Sequence, residues 1–419
     1  MRGMRKDWPR AILVLLGVVG LVGLAAMPET RTAYAQGPVR VGLIYAETGP
    51  LAQVGLDMRD GFLLYWSEAG NRAGGRPVEV LLEGNASNKA DEGLTKARRL
   101  VEREQVHVLG GIVETPIAYA LRPYVIEKKV PFVIMNAGAD GLTQGQRSAY
   151  VFRSSFSNSD SSHPLGEWAY KQGYRKAVIM ASDFGAGYEH MGGFARTFIE
   201  AGGQVIQEIY PPLGTPDFAP FLSQIRRDAD VVAVFFPGAD AVRFVNQYAE
   251  FGLKGRIPLI GKGFLVEEVL LPAITDRAVG IVSSLHWSAA LEAPVNKRFV
   301  EAYAAKYKRP PSSASEQGYV GAQMIASALE AVKGNIETQQ AFLTALARVD
   351  IDAPRGKVRL DAYHNPIHSI YIRKVEKKGN EYVNTVIATY PSVSQFWRWT
   401  PEAYLAMPTY ADMKGKWVK

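Results

Sequence analysis

From Val39 onward, short apolar runs alternate with segments whose apolar residues recur at helical spacing, and this alternation limits the fold more than any other feature. Val39–Tyr45 is read as a strand and Leu56–Ala69 as a helix with Phe62, Leu63 and Trp66 toward a core. Val78–Glu83, Asp91–Arg103, Val106–Leu109, a helix over Pro116–Lys128 and Pro131–Met135 continue the rhythm. Strand–helix–strand order with continuously apolar strands is the pattern of a parallel sheet covered on both faces by helices.

A second set begins near Gly173. It has strands at Ala177–Ala181, Val205–Tyr210, Val231–Phe236 and Ile257–Ile260, and helices at Tyr188–Ala201, Phe218–Arg227 and Asp240–Glu250. "SEAGNRAGGRPVEV" (Ser67–Val80) and "IEAGGQVIQEI" (Ile199–Ile209) both end a helix on Ala-Gly and enter a strand after a glycine. Such junctions occur in many proteins. Combined with the matching order of elements, they predict two similar α/β lobes. "YVFRSSFSNSDSSHP" (Tyr150–Pro164) and "VGIVSSLHWSAALEAP" (Val279–Pro294) are read as connections, and the helices near Pro294–Lys306 and Ser313–Ala331 are expected to return to the first lobe. A chain that crosses more than once forms a hinge with a cleft between rigid bodies.

The first 35 residues read as a leader. Arg2, Arg5, Lys6 and Arg10 precede an uncharged run from Ala11 to Ala26, and Ala33-Tyr34-Ala35 fits a small-x-small cleavage site. An uncleaved anchor is the alternative, because the run is intermediate in length between a signal and a span. The leader holds five basic and two acidic residues, so the rest carries 43 basic against 39 acidic and the net charge falls from +7 to +4. "RKVEKKGN" (Arg373–Asn380) reads as a solvated hairpin, so no basic stripe points to nucleic acid. With no cysteine, the exported chain has neither disulfides nor a lipid-modified cysteine and depends on core burial.

In open α/β sheets the ligand site lies at the carboxyl ends of the strands. The loops there are the opening lip with Thr48 and Gln53, "GGIVETP" (Gly110–Pro116) and "NAGADG" (Asn136–Gly141) in the first lobe. The second lobe offers "SDFGAGY" (Ser182–Tyr188), "FFPGAD" (Phe235–Asp240) and "GKGF" (Gly261–Phe264). Small residues near helix starts expose backbone N–H groups that suit a carboxylate, although each loop alone also fits a simple turn or cap. Catalytic, metal and cofactor signatures are missing: there is no H-E-x-x-H, G-x-S-x-G, Walker A or G-x-G-x-x-G stretch. The six histidines are scattered, and Pro366 between His364 and His368 breaks a helical metal pair.

"VRVGLIYAETGPLAQVGLDMRDGFLLYWSEAGNRAGGRPVEVLLEGN", "KARRLVEREQVHVLGG", "YVFRSSFSNSDSS" and "YPPLGTPDFAPFLSQIRRDADVVAVFFPGADAVRFVNQYAEFGL" resemble, in order, a type I periplasmic solute-binding protein of the leucine/isoleucine/valine-binding branch. The resemblance covers Val39 to Ala331. It implies two Rossmann-like lobes, three hinge crossings, ligand capture in the cleft, and delivery to the permease and ATPase subunits of an ABC transporter. It implies a periplasmic, non-enzymatic, monomeric protein without a cofactor. The expected division is 1–35 leader, 36–153 plus 288–350 first lobe, 154–287 plus 351–390 second lobe, and 391–419 C-terminal extension.

The resemblance also implies positions for the ligand. The loops matching Val113-Glu114-Thr115 and Asn136-Ala137-Gly138-Ala139 hold a carboxylate, with Glu114 at a place often held by serine. Positions near Asn158, Pro237 and Gly263 match those that hold an ammonium, yet none is acidic or hydroxylic. A buried ammonium without a counter-charge costs several kcal/mol, which argues against an α-amino acid. Tyr45, Phe152, Phe156, Phe184, Tyr188, Phe236, Phe264 and Trp287 flank the expected cleft and favour a flat organic anion such as a benzoate- or cinnamate-like acid. Arg153 is open to two readings, a cation for the ligand or a structural ion pair. Amino-acid binding and a sensing role feeding a receptor stay open as alternatives, as does an enzyme, which would predict turnover.

Overall fold

The computed structural model describes residues 37–86 and 89–418, so the expected leader lies outside the described residues. Among the described residues no helix is long and apolar enough to cross a membrane. The first set of elements is β1 (Val39–Thr48), α1 (Ala52–Glu68), β2 (Arg72–Ala73), β3 (Arg76–Ala86), α2 (Ala90–Arg98), β4 (Val108–Gly111), α3 (Thr115–Glu127), β5 (Phe132–Ile134) and β6 (Val151–Arg153). They form a six-stranded sheet in the order β2-β3-β1-β4-β5-β6, parallel except for the β2–β3 pair. Alternation along β1 feeds both faces: Val41, Leu43 and Tyr45 enter one core, and Ile44 enters the other with Leu109 and Ile134. The helix expected over Asp91–Arg103 is α2 followed by a wide π turn over Arg99–Arg103.

The second set is α4 (Ser162–Lys171), β7 (Lys176–Ala181), α5 (Gly185–Glu200), β8 (Gln204–Ile209), α6 (Ala219–Leu222), β9 (Val231–Phe235), α7 (Ala239–Glu250), β10 (Leu259–Lys262), α8 (Leu271–Ile274) and β11 (Val282–Leu285). Then come α9 (Pro294–Tyr307), α10 (Ser313–Ala331), α11 (Gln339–Ala347), β12 (Asp350–Ala353), β13 (Gly356–Leu360), β14 (Pro366–Lys378), β15 (Glu381–Val393) and α12 (Pro401–Leu405). A nine-stranded sheet runs β12-β13-β14-β11-β10-β9-β7-β8, with β15 paired to β14. The protein is thus a mixed α/β chain with two lobes, the second sheet joining the parallel strands β7–β11 to the antiparallel strands β12–β15.

Three sequence expectations are corrected. The helix over Phe218–Arg227 shrinks to the single turn α6, because side chains take the backbone groups a longer helix needs: Gln207 Oε1 accepts from the Arg226 N–H at 2.9 Å, and the Ser223 hydroxyl donates to Pro220 O at 3.0 Å. The stretch Val279–Pro294 is not only a connection. It contains β11, a buried strand between β10 and β14 whose two serines hide its apolar pattern. "RKVEKKGN" does turn a hairpin at Gly379, but its first strand is internal to the second sheet.

The chain passes from the first sheet to the second after β6, and after β11 it returns to the first core through α10; β12 and β13 pack against that core while pairing with β14 of the second sheet. Glycines explain why the second passage returns so tightly. A Cβ at Gly61 of α1 would overlap the Ser315 carbonyl oxygen, and one at Gly318 of α10 would overlap that of Met58. The two helices therefore pack backbone against backbone. In the last segment Phe396, Tyr404, Tyr410 and Trp417 share a core with Leu165, Phe194 and Phe198 of α4 and α5.

Candidate functional site

The hydroxyl-rich stretch after β6 crosses between the sheets fully buried, with Ser154, Ser155, Ser157 and Ser159 all without exposed surface. Arg153 organises its start. Its guanidinium donates to Ala137 O at 2.8 Å, Phe156 O at 2.7 Å and Ala139 O at 2.6 Å, which makes it a structural clamp and not a free cation. The same loop is tied from both sides: the Ala137 amide donates to Ile112 O at 3.0 Å and the Asn158 amide to Gly138 O at 2.7 Å. A Cβ on Gly138 would strike Phe156 and Asn158, so only glycine allows this approach. The amide of Ala137 is therefore spent on the fold. Glu114, buried at the N-cap position of α3 beside Val113 and Thr115, places a resident carboxylate where an incoming one was expected.

Deeper in, Asn136 donates to Gln317 at 2.6 Å, and Gln317 Nε2 lies 3.2 Å from His286 Nε2. Around Phe156 gathers a set of rings from the second lobe and the connecting segments. Its centroid is 5.4 Å from His286, in a stacked arrangement, and 5.5 Å from Phe264. His190 of α5 lies 4.1 Å from Phe235, which in turn is 6.0 Å from Phe184. Into this group projects Lys262, the last residue of β10 and fully buried. Its Nζ sits 4.6 Å from the Phe156 centroid and 5.4 Å from that of Phe264, and donates to the Ser161 hydroxyl. An ammonium over aromatic faces is held by their quadrupoles.

Burial lowers the Lys262 ammonium to about 8, with Asp160 opposing that shift, so the side chain is a cation at neutral pH. Burial alone would raise Asp160, but the His368 hydrogen bond and the charges of His368 and Lys262 hold it below the usual carboxylate range. His190 and His286 are driven well below their ordinary value by burial, so both are neutral imidazoles. On the first-lobe side, burial raises Asp140 to about 6. Burial and the Asp140 charge raise Glu189 of α5 well above its ordinary value. Glu189 accepts from the Asn158 side chain at 2.6 Å and from the Asp140 amide at 3.3 Å, and so joins the lobes.

Of the residues expected from sequence, Asn136, Phe156, Asn158, Phe184 and Phe264 are brought to this group or bonded into it. Gly263 lies beside Lys262, with its carbonyl accepting from Arg373 at 3.2 Å, and Pro237 is half-buried at the end of β9. Thr48 is exposed, and Gln53, also exposed, donates to Asp57 at 2.7 Å. Four aromatic expectations are placed elsewhere, Phe152 and Phe236 being buried in the cores of the first and second lobes. Trp287 is fully buried with Leu64, Phe299, Tyr303 and Tyr319, its indole N–H on Asn296 at 2.7 Å. Tyr188 bonds Asp183 at 2.6 Å and stands beside Lys414 of the C-terminal segment. Sequence reasoning missed Lys262, Glu189, His190, Phe235, His286 and Gln317. Lys262 left a signal, a charged residue closing the apolar strand "LIGK" at its carboxyl end.

Comparison with known proteins fits this architecture. A family model described as periplasmic binding protein matches residues 38–380. The chain belongs to the periplasmic binding protein family. The binding protein is 32% identical over 379 residues to a Leu/Ile/Val-binding protein homolog 6 of Brucella melitensis, covering 89% of this chain and 96% of that one. An ABC transporter substrate-binding protein from Sphaerobacter thermophilus superposes with a TM-score of 0.83 at 37% identity, over 85% of this chain and 99% of the other. A solute-binding protein of an ABC transporter from Rhodopseudomonas palustris BisB5, in complex with 3,4-dihydroxybenzoic acid, gives 0.81 at 33% identity, over 86% and 99%. The binding protein is thus an extracytoplasmic solute-binding component of an ABC transporter, a family that carries solutes and is not enzymatic.

Proposed function

We propose that this binding protein captures a small carboxylate-bearing solute, an aromatic acid in preference to an amino acid. It does so as a monomer released from its leader near Ala35, and passes the solute to the permease and ATPase of its transporter. The observation that carries the reading is Lys262, a buried cation lying over the faces of Phe156 and Phe264. Such a group offers a counter-charge to a carboxylate and flat apolar surface to a ring. The similar protein from Rhodopseudomonas palustris, which holds a dihydroxybenzoic acid, is in keeping with that chemistry. Binding energy is realised as the lobes close, so affinity follows contacts made in the closed state.

Amino-acid binding is the second reading, and one observation favours it. Glu189 is bonded to Asn158, at the position matched to ammonium recognition. Its burial next to Asp140 favours the protonated form, which supplies no counter-charge. A thermal-shift screen against benzoate-type acids, aliphatic acids and branched-chain amino acids tests the choice. A ligand at a hundred times its dissociation constant adds about 2.7 kcal/mol of stability. Aromatic acids are expected to stabilise the wild type, and Lys262→Met is expected to lose at least about tenfold in their affinity. Stabilisation by leucine or valine alone would overturn the reading.

A further inference from the structure

We propose that His190 determines specificity in this cleft by reading a hydroxyl group on the ring of the bound acid, so that the solute is a hydroxylated aromatic carboxylate and not a plain one. The inference rests on the aromatic-acid reading above and narrows it. His190 lies on α5 with 1% of its surface exposed. Rings enclose it: Phe235 at 4.1 Å, Phe264 at 6.3 Å and Phe156 at 6.4 Å between centroids. Among the described residues neither ring nitrogen has a side-chain partner, and the group in reach of the imidazole is the Asn158 backbone, which favours the protonated ring.

That combination is unusual. Buried polar atoms are nearly always paired, because water that once bonded them has been lost. Burial and the Lys262 charge keep the imidazole neutral, so one nitrogen is a donor and the other an acceptor. A histidine placed only to fill a core gains nothing over phenylalanine in such surroundings. A phenolic hydroxyl, which both donates and accepts, satisfies either nitrogen without bringing a charge into the ring cluster. Lys262 and His190 also share two rings, Phe156 and Phe264. An acid held at Lys262 therefore carries its ring against the faces that border His190. A site built to bond a hydroxyl discriminates strongly against the analogue lacking it, because its own buried group is then left unpaired.

The test is calorimetric titration of the mature chain with benzoate, 3-hydroxybenzoate, 4-hydroxybenzoate and leucine. The wild type is expected to bind one hydroxybenzoate at least about tenfold more tightly than benzoate. His190→Phe is expected to bring that ratio to near unity. His190→Gln, which restores a donor and an acceptor, should recover part of the preference. Equal binding of the three acids by the wild type, or a preference that survives in His190→Phe, would overturn this proposal alone. Binding of leucine with none of the benzoates would overturn the aromatic-acid reading and this one with it. Equal binding by the wild type overturns the proposal without any variant, and if His190→Phe does not fold, a preference undiminished in His190→Gln and in His190→Leu overturns it.

Discussion

Arg355, between β12 and β13, donates from Nε to Glu316 of α10 at 2.7 Å, and neither side chain has exposed surface. The same guanidinium reaches a second oxygen of Glu316 and donates to Ser154 O at 3.1 Å and Ser155 O at 2.8 Å. His286 after β11 stands 3.8 Å from Glu316. One buried ion pair thus ties the β12–β13 turn and α10 to the segments that follow β6 and β11.

Removing one member of that pair leaves an uncompensated buried charge. Arg355→Ala is expected to destabilise the protein by about 3–5 kcal/mol. The double variant Arg355→Met/Glu316→Leu should recover much of the loss, since no charge then stays buried alone. Urea denaturation of the three proteins measures this, and a cost below about 1 kcal/mol for Arg355→Ala would refute it.

Phe264 and Trp287 separate binding from packing. Phe264→Ala is expected to lower affinity for an aromatic acid about tenfold or more, since it removes a face from the ring cluster. Trp287→Ala should cost about 3–5 kcal/mol of stability and leave affinity nearly unchanged, because its neighbours are Leu64, Phe299 and Tyr303. Paired calorimetry and denaturation distinguish the two; the reverse pattern would move the site.

The contact between α1 and α10 leaves no space for a methyl group at Gly318. Gly318→Ala is expected to push α10 away from Met58 and destabilise the chain by about 1–3 kcal/mol, despite the better helix propensity of alanine. A stabilised variant in thermal unfolding would show that the helices have slack.

His163 gives stability a pH dependence. Burial, with the Arg196 charge adding to it and Asp160 opposing it, pushes the imidazole down to about 3, and its Nε2 lies 2.7 Å from the Tyr410 hydroxyl. The unfolded ring titrates near 6.5, so below that pH the unfolded state binds the extra proton. Its contribution is fully present above about 6.5 and is lost as the pH falls toward about 3. In urea titrations between pH 7 and 4, the wild type should lose stability more steeply than His163→Gln. Parallel slopes would show that His163 titrates normally.

Much of the fold was legible because its strands are buried on two faces and its helices on one, which writes two different periodicities into the chain. Val39–Tyr45, Ala177–Ala181 and Val231–Phe236 are such runs. β11 was not legible: "VSSL" is buried through its place between β10 and β14, a matter of sheet order that local pattern does not encode. α6 ended early because Gln207, distant in sequence, took the amide of Arg226. In the cleft, the loops at the strand ends were readable from their small residues. Which aromatic side chains meet was not, since Phe156, His190, Phe235 and Phe264 come from four separate elements.

By itself the sequence determined the alternation of strands and helices, the pairing of two similar lobes and the position of the loops between them. These follow from local periodicity and turn chemistry. Only the tertiary structure decided that Arg153 is a clamp, that Trp287 is core, and that Lys262 and His190 face one ring cluster. Those roles depend on distances between segments far apart in the chain, and on the loss of water that makes a buried charge or an unpaired nitrogen count.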